Sequence, residues 1–276
     1  MKRTSCAARA DSAPAHPRAR RRAAGVCHTD ARHTDCSSDG LPMPMPFGSQ
    51  RTFAEVTEEE RRLLAQYLER QGYLELATAH IFGAAVAFAP TLDDKILLAD
   101  QTKEELGHLE AIALIYAELG AGDLLKVVQS PVADSPSPTS WLETAVVQCL
   151  FDRAAKFHIA ELRASSFRPV ADVAGWILSE EEAHEAAGEQ ILLELCRANP
   201  RNVKAGQAHL ERWLPISLNA LGKPSARRSA RAVELGLRAR EYGVVMRDYL
   251  DDVRIFADAC GLHVPNVSPE LRRAGR

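Results

Sequence analysis

From residue 57 onward, apolar side chains recur every three or four positions in long, cleanly punctuated stretches, the period of helices with one buried face. Thr57 and Glu60 form a capping box that opens a first helix, and the apolar period carries it to about Phe88. "APTLDD" closes that helix and opens a second, with Thr91 suited to the N-cap and Asp93 and Asp94 to the positive first turn. The second helix ends near "ELGAG", where Gly120 fits a left-handed C-cap. A short helical piece around Leu124 to Val128 precedes "SPVADSPSPTS", which reads as a Pro/Ser linker. A third long helix begins near Ser140 and stops before "FRPVAD", and a fourth runs from Pro169 to about Ala198. "NPRN" breaks the chain before a fifth helix through Trp213 and Leu218, and a sixth spans about Ser225 to Ala259. Two long hairpins followed by two further helices predict an all-α fold: a four-helix bundle with additional C-terminal helices.

Composition supports that reading. The 276 residues are 46% hydrophobic and 26% charged, enough apolar surface for one substantial core, while aromatics make up only 6%. A net charge of -3 argues against nucleic acid as the main partner. The apolar run "IFGAAVAFAP" is too short to span a bilayer, so no membrane is expected. Six cysteines show no CxxC and no disulfide framework; Cys149, Cys196 and Cys260 sit singly inside helical patterns, as expected of a reducing, cytoplasmic setting.

Residues 1–50 break the pattern. They are rich in Pro, Ser and Ala, carry the cluster "RARRR", and read as a disordered N-terminal extension ahead of a helical domain over 51–276, with Met43 and Met45 as candidate starts. Lys2 and seven Arg against four Asp give them about +4, which leaves about -7 for the rest of a chain whose net charge is -3. Cys27, His28, His33 and Cys36 in "CHTDARHTDC" are zinc-ligand types, but their spacing matches no standard finger.

The chemistry lies in a repeat. "EELGH" places Glu105 and His108 one turn apart on a face of the second helix, and "EEEAH" places Glu181 and His184 likewise on the fourth. One Glu-x-x-His is weak evidence, because a solvated helix face explains most such pairs. Two of them, each on the second helix of a hairpin, predict a bundle site for two metal ions, completed by one carboxylate from each first helix. Glu75 and Glu105 lie equally far from Pro90 on either side, so the two stand level across the turn. Glu181 lies 12 residues beyond Pro169; stepping back by about that amount, with allowance for loop residues, lands near Arg153 to Lys156, where the nearest acid is Asp152, whereas Glu161 is too near the turn and Glu143 too far. Carboxylate with imidazole suits iron or manganese better than zinc-thiolate chemistry. The neighbouring Glu104, Glu180, Glu182 and Glu185 read as surface salt-bridge partners, and His80 and His158 as packing or hydrogen-bonding groups.

With these residues placed, the chain resembles the phenylacetic acid catabolic family, and within it the catalytic rather than the structural subunits, over about residues 57 to 270. The shared segments are "LE" at Glu75, "APTL", "KILLA", "EELGH", "SW" at Ser140-Trp141, "CLFDRAA", "EEEAH", "RWLPISLNALG" and "YLDDVRIFADACGLHVPNVSPEL", in that order. The resemblance implies a ferritin-like di-iron monooxygenase that activates O2 and adds one oxygen to the ring of an aromatic acyl-CoA. It implies two Fe ions (or Mn) held by Glu75, Glu105, His108, Asp152, Glu181 and His184, and Lys95 as a contact to the CoA phosphates. Electrons would come from a separate NADPH-dependent flavin and iron-sulfur reductase, and a homologous structural subunit would share an oligomer. A related oxygenase acting on a non-CoA substrate in a biosynthetic pathway, or a ferritin-like iron-binding or ferroxidase protein, would keep the same ligands.

Overall fold

The computed structural model describes residues 51–222 and 226–265, so the N-terminal extension and its Cys/His cluster lie outside the described residues. Eight helices are described: α1 (Glu58–Ala85), α2 (Leu92–Glu118), α3 (Leu124–Ala133), α4 (Trp141–Arg163), α5 (Arg168–Ala198), α6 (Pro200–Leu221), α7 (Ala226–Glu234) and α8 (Tyr242–Ala259). None of the described helices is long and apolar enough to cross a membrane.

Helix starts follow local chemistry. The Thr57 hydroxyl accepts from the Glu60 amide while the Glu60 carboxylate accepts from the Thr57 amide at 2.8 Å, a complete capping box. The Thr91 and Ser140 side chains cap α2 and α4 by accepting from the Asp94 and Glu143 amides. α1 packs along α2 and α4 along α5; α1–α4 and α2–α5 contacts close the four-helix bundle. α4 is the most enclosed, covered by α1, α5, α6 and α8, and even Glu143, Asp152, Arg153 and Glu161 are buried on it. Cys149, Cys196 and Cys260 are buried and unpaired. Leu64, Leu74, Phe82, Leu98, Leu150 and Trp213 are among the fully buried residues of the core.

Three expectations change. α1 stops at Ala85 rather than Phe88, and the Lys95 ammonium donates to the Val86 carbonyl (2.6 Å) as the last turn loosens. α3 runs on to Ala133 through Pro131, which cannot donate an amide; its buried face of Leu124, Val128 and Val132 holds it against α1. A Cβ on Gly72 would come within 2.9 Å of Leu124, so α1 and α3 approach closely at that point. The expected sixth helix is two, α7 and α8. Between them Gly236 adopts φ 68° and its carbonyl accepts from the Ser166 amide (2.7 Å), while the Glu161 carboxylate accepts from the Arg240 amide and Nε, both at 2.7 Å. Those partners sit at the far end of α4, and local spacing cannot show them.

Arg51 ties the start of the described chain to the same end. Its amide donates to the Ser166 carbonyl and its carbonyl accepts from the Arg168 amide. Its guanidinium reaches Glu60, the Ser166 hydroxyl and the Leu235 carbonyl.

Candidate metal centre

The bundle interior holds four fully buried carboxylates, one from each long helix: Glu75 on α1, Glu105 on α2, Asp152 on α4 and Glu181 on α5. His108, also fully buried, and His184, 3% exposed, complete the six residues that the sequence singles out. Ligand atoms of Glu75, Glu105, His108 and Glu181 lie within 4.8 Å of one another. His108 Nδ1 stands 3.1 Å from Glu75, 3.8 Å from Glu105 and 3.9 Å from Glu181. His184 joins the group through Nδ1, 2.9 Å from Glu105 Oε1. Asp152 is not in the four-residue cluster, but its carboxyl responds to the charges of Glu105 and His184. Lys95 lies apart: ten residues separate it from Glu105 along α2, about 15 Å at the helical rise.

Burial pushes the Asp152 and Glu181 carboxyls well above the usual range, and neighbouring Glu105 adds to the effect on both. Burial also raises Glu75, to about 8. Glu105 resists its burial because it bonds His108 and His184, which bring its carboxyl down to about 2. Burial works against both imidazolium forms, but the Glu105 and Glu75 carboxylates beside His108 raise it to about 11, and the hydrogen bond that His184 donates to Glu105 raises His184 to about 9.

Both oxygens of Asp152 and both oxygens of Glu181 are buried without a hydrogen-bond partner. A carboxylate left so is costly, and a bound cation supplies the missing partners. Four carboxylates and two imidazoles, with no thiolate, fit a pair of iron or manganese ions.

Glu104 and Glu180 are not simple surface salt-bridge partners. Glu180 on α5 accepts at 2.7 Å from the outer nitrogen, Nε2, of His108 on α2. Glu104 on α2 meets Nε2 of His184 on α5 at 2.8 Å, so each hairpin holds the other's imidazole. A carboxylate on the outer nitrogen fixes the tautomer and leaves Nδ1 facing inward. Glu180 also accepts from Trp176 Nε1 (3.0 Å), whose ring stands edge-on to His108. Glu185 is 6% exposed and pairs with Arg153 and Lys156 rather than lying solvated. On α1, Gln71 Nε2 donates to Glu75 (2.6 Å) and the Thr78 hydroxyl lies 2.9 Å from Glu105. His158 Nδ1 is 2.7 Å from Gln71 Oε1, and His80 is exposed. The signal available in sequence for Glu104 and Glu180 was the doubled Glu that opens each Glu-x-x-His.

The family model described as phenylacetic acid catabolic protein matches residues 50–276. Benzoyl-CoA oxygenase component B of Aromatoleum evansii is 30% identical over 154 residues, 51% of this chain and 33% of that protein. The chain therefore spans only about a third of the length of that curated relative. Among solved structures, a variant of an R2-like ligand-binding oxidase with an anaerobically reconstituted Mn/Fe cofactor aligns with TM-score 0.56 at 12% identity, covering 76% of this chain and 84% of that one. A second variant, with an aerobically reconstituted Mn/Fe cofactor, aligns with TM-score 0.52 at 12% identity over 75% and 83%. These likenesses establish the ferritin-like fold.

Proposed function

The chain belongs to the phenylacetic acid catabolic protein family, and we propose that it is a di-iron monooxygenase, with manganese as an alternative metal, acting on an aromatic acyl-CoA. The reaction takes O2, two electrons, two protons and the acyl-CoA, and yields an epoxidised or hydroxylated ring and water. The observation that carries the reading is the pair of buried, unpartnered acids, Asp152 and Glu181, opposite the hydrogen-bonded Glu75 and Glu105.

Glu75, Glu105, His108, Asp152, Glu181 and His184 would hold the metal pair, which supplies the O2-activating, electron-accepting chemistry. The chain's own residues orient and shield. With metal bound, Glu180 and Glu104 would hold the Nε2 protons of His108 and His184, which would leave both Nδ1 atoms free to bind the ions. Gln71 and Thr78 fix the rotamers of Glu75 and Glu105. Phe82, edge-on to His184 and fully buried, excludes water from that side. Lys95 has spent one of its three N–H groups on Val86 and retains donors for a CoA phosphate. The relative's description as a component supports a multi-component enzyme. A separate NADPH-dependent flavin and iron-sulfur reductase and a homologous structural subunit are its proposed partners.

Two measurements test the reading together: iron and manganese content of the purified chain, and NADPH-dependent O2 uptake on adding benzoyl-CoA or phenylacetyl-CoA with a reductase. Bound metal with acyl-CoA-stimulated uptake is the expected result. Protein that takes up neither metal sinks the proposal, and metal without stimulation by either thioester leaves the iron-binding or ferroxidase reading. Full turnover in Glu105→Ala or His184→Ala would show the ligand assignment to be wrong.

A further inference from the structure

A cavity of about 440 Å³ opens between α1, α3, α4, α6 and the α7–α8 region, and none of the six metal-centre residues lines it. That volume suits a small organic molecule. Its wall is cationic. Arg70, Arg228 and Arg238 line it together with one acid, Glu69, which accepts from the Tyr116 hydroxyl at 2.7 Å.

Two residues of this wall carry a buried donor with no hydrogen-bond partner. Arg238 is 4% exposed, yet its Nε has no hydrogen-bond partner. The Glu161 carboxylate stands 3.9 Å away and is taken up by Arg240. The Tyr67 hydroxyl is also buried without a partner, and the Arg238 guanidinium lies over the Tyr67 ring, 5.2 Å from its centre. Native interiors rarely leave such donors unpaired, and two at one cavity ask for an acceptor. Val127, Val128 and Leu221 line the cavity as well and suit an apolar body.

His158 supports the same polarity. Gln71 turns its amide nitrogen to Glu75, so its oxygen accepts from His158 Nδ1 and leaves Nε2 as an acceptor. Burial, with Arg238 and Arg70 nearby, drives the His158 imidazolium well below its ordinary range. The positive field of the cavity is therefore carried by the arginines.

We propose that this cavity is a binding site for a small organic anion, a carboxylate or phosphate ester with a single-ring apolar body, held by Arg238 and the Tyr67 hydroxyl. The site is separate from the metal centre, so its test uses metal-free full-length chain and does not depend on the oxygenase reading. Calorimetric titration with benzoate, phenyl phosphate and neutral benzamide distinguishes carboxylate from phosphate and both from shape alone. At least one anion should bind tenfold or more tightly than benzamide. Arg238→Met should weaken that anion at least tenfold, the scale of a lost charge-assisted hydrogen bond. Tyr67→Phe removes a hydroxyl with no partner in the fold, so it should leave the melting temperature unchanged and weaken the anion about fivefold. If Arg238→Met does not fold, Tyr67→Phe carries the test alone. Equal binding of benzamide and the anions, no binding of either anion, or wild-type affinity in the folded variants overturns the proposal.

Discussion

The two hairpins that build the candidate metal centre repeat in sequence and differ in environment. In the α1–α2 half, Glu75 is met by Gln71 and His108, and Glu105 by Thr78 and His184. In the α4–α5 half, Asp152 and Glu181 have no hydrogen-bond partner at all. One half is a finished hydrogen-bond network without any ion, whereas the other is complete only when something else binds. A repeated ligand pattern thus need not mean equal roles: the first hairpin preorganises and the second supplies unsatisfied charge.

Ligand removal should have the largest effect. Glu181→Ala or Asp152→Ala should strip bound metal and cut acyl-CoA-stimulated O2 uptake on the order of 10³-fold, equivalent to about 4 kcal/mol. The isosteric amides then separate the halves in metal-free protein at pH 8. Glu181→Gln should raise the melting temperature, because an amide is cheaper to bury than a carboxylate, and Glu105→Gln should lower it by breaking the contacts to His184 and His108. Shifts of the same sign in both would break the comparison.

Acidity gives a second test. Burial raises Glu75 to about 8, and the bond to Glu105 outweighs burial to raise His184 from 6.5 to about 9. A group raised on folding stabilises fully below its unfolded value and loses that stabilisation as pH rises through its folded value. Metal-free protein should therefore melt at progressively lower temperature from about pH 4.5, where Glu75 begins to lose its stabilisation, to about pH 9, where His184 has lost its own, in thermal scans, and metal-loaded protein should not follow it. Glu105, lowered to about 2 by His108 and His184 against its burial, acts in the opposite sense and only in acid.

Exchange across the hairpins predicts a matched effect. Glu180→Gln and Glu104→Gln should each weaken metal binding roughly 10–100-fold, read by competition with a chelator. A strongly unequal pair would show that one imidazole dominates.

The smallest effects concern packing. A Cβ on Gly188 would stand 2.8 Å from Gln148, which bonds Gln101 and the His184 carbonyl, so Gly188→Ala should cost roughly 1–3 kcal/mol in denaturant unfolding. Gly83 in the first hairpin has only ordinary contacts with Thr102, and Gly83→Ala should stabilise by about 0.5–1 kcal/mol.

Much of the centre was legible because antiparallel helices with equal rise keep register through a short turn. Counting out from Pro90 reaches Glu75, and stepping back from Pro169 with allowance for loop residues leads to Asp152 as the nearest acid. Glu104 and Glu180 were not legible as histidine partners. Each lies one residue, about 100°, from its neighbouring ligand, on a side that periodicity assigns to solvent. Only the closed bundle shows that each reaches the opposite hairpin's imidazole. The α7–α8 break was hidden for a similar reason, since Ser166 and Glu161 hold it from far away in sequence. Arg238 likewise reads as one more helix arginine until the break turns it inward.

The clasp at Arg51 has a kinetic side. It joins residues 115 apart to the turn between α4 and α5, while each hairpin closes through a short local connection. Loop closure over that span comes late in folding, after the hairpins have formed. The clasp is then the natural first segment to release in sub-global opening, and the Arg168 amide, bonded to the Arg51 carbonyl, should exchange its hydrogen ahead of the α4 interior.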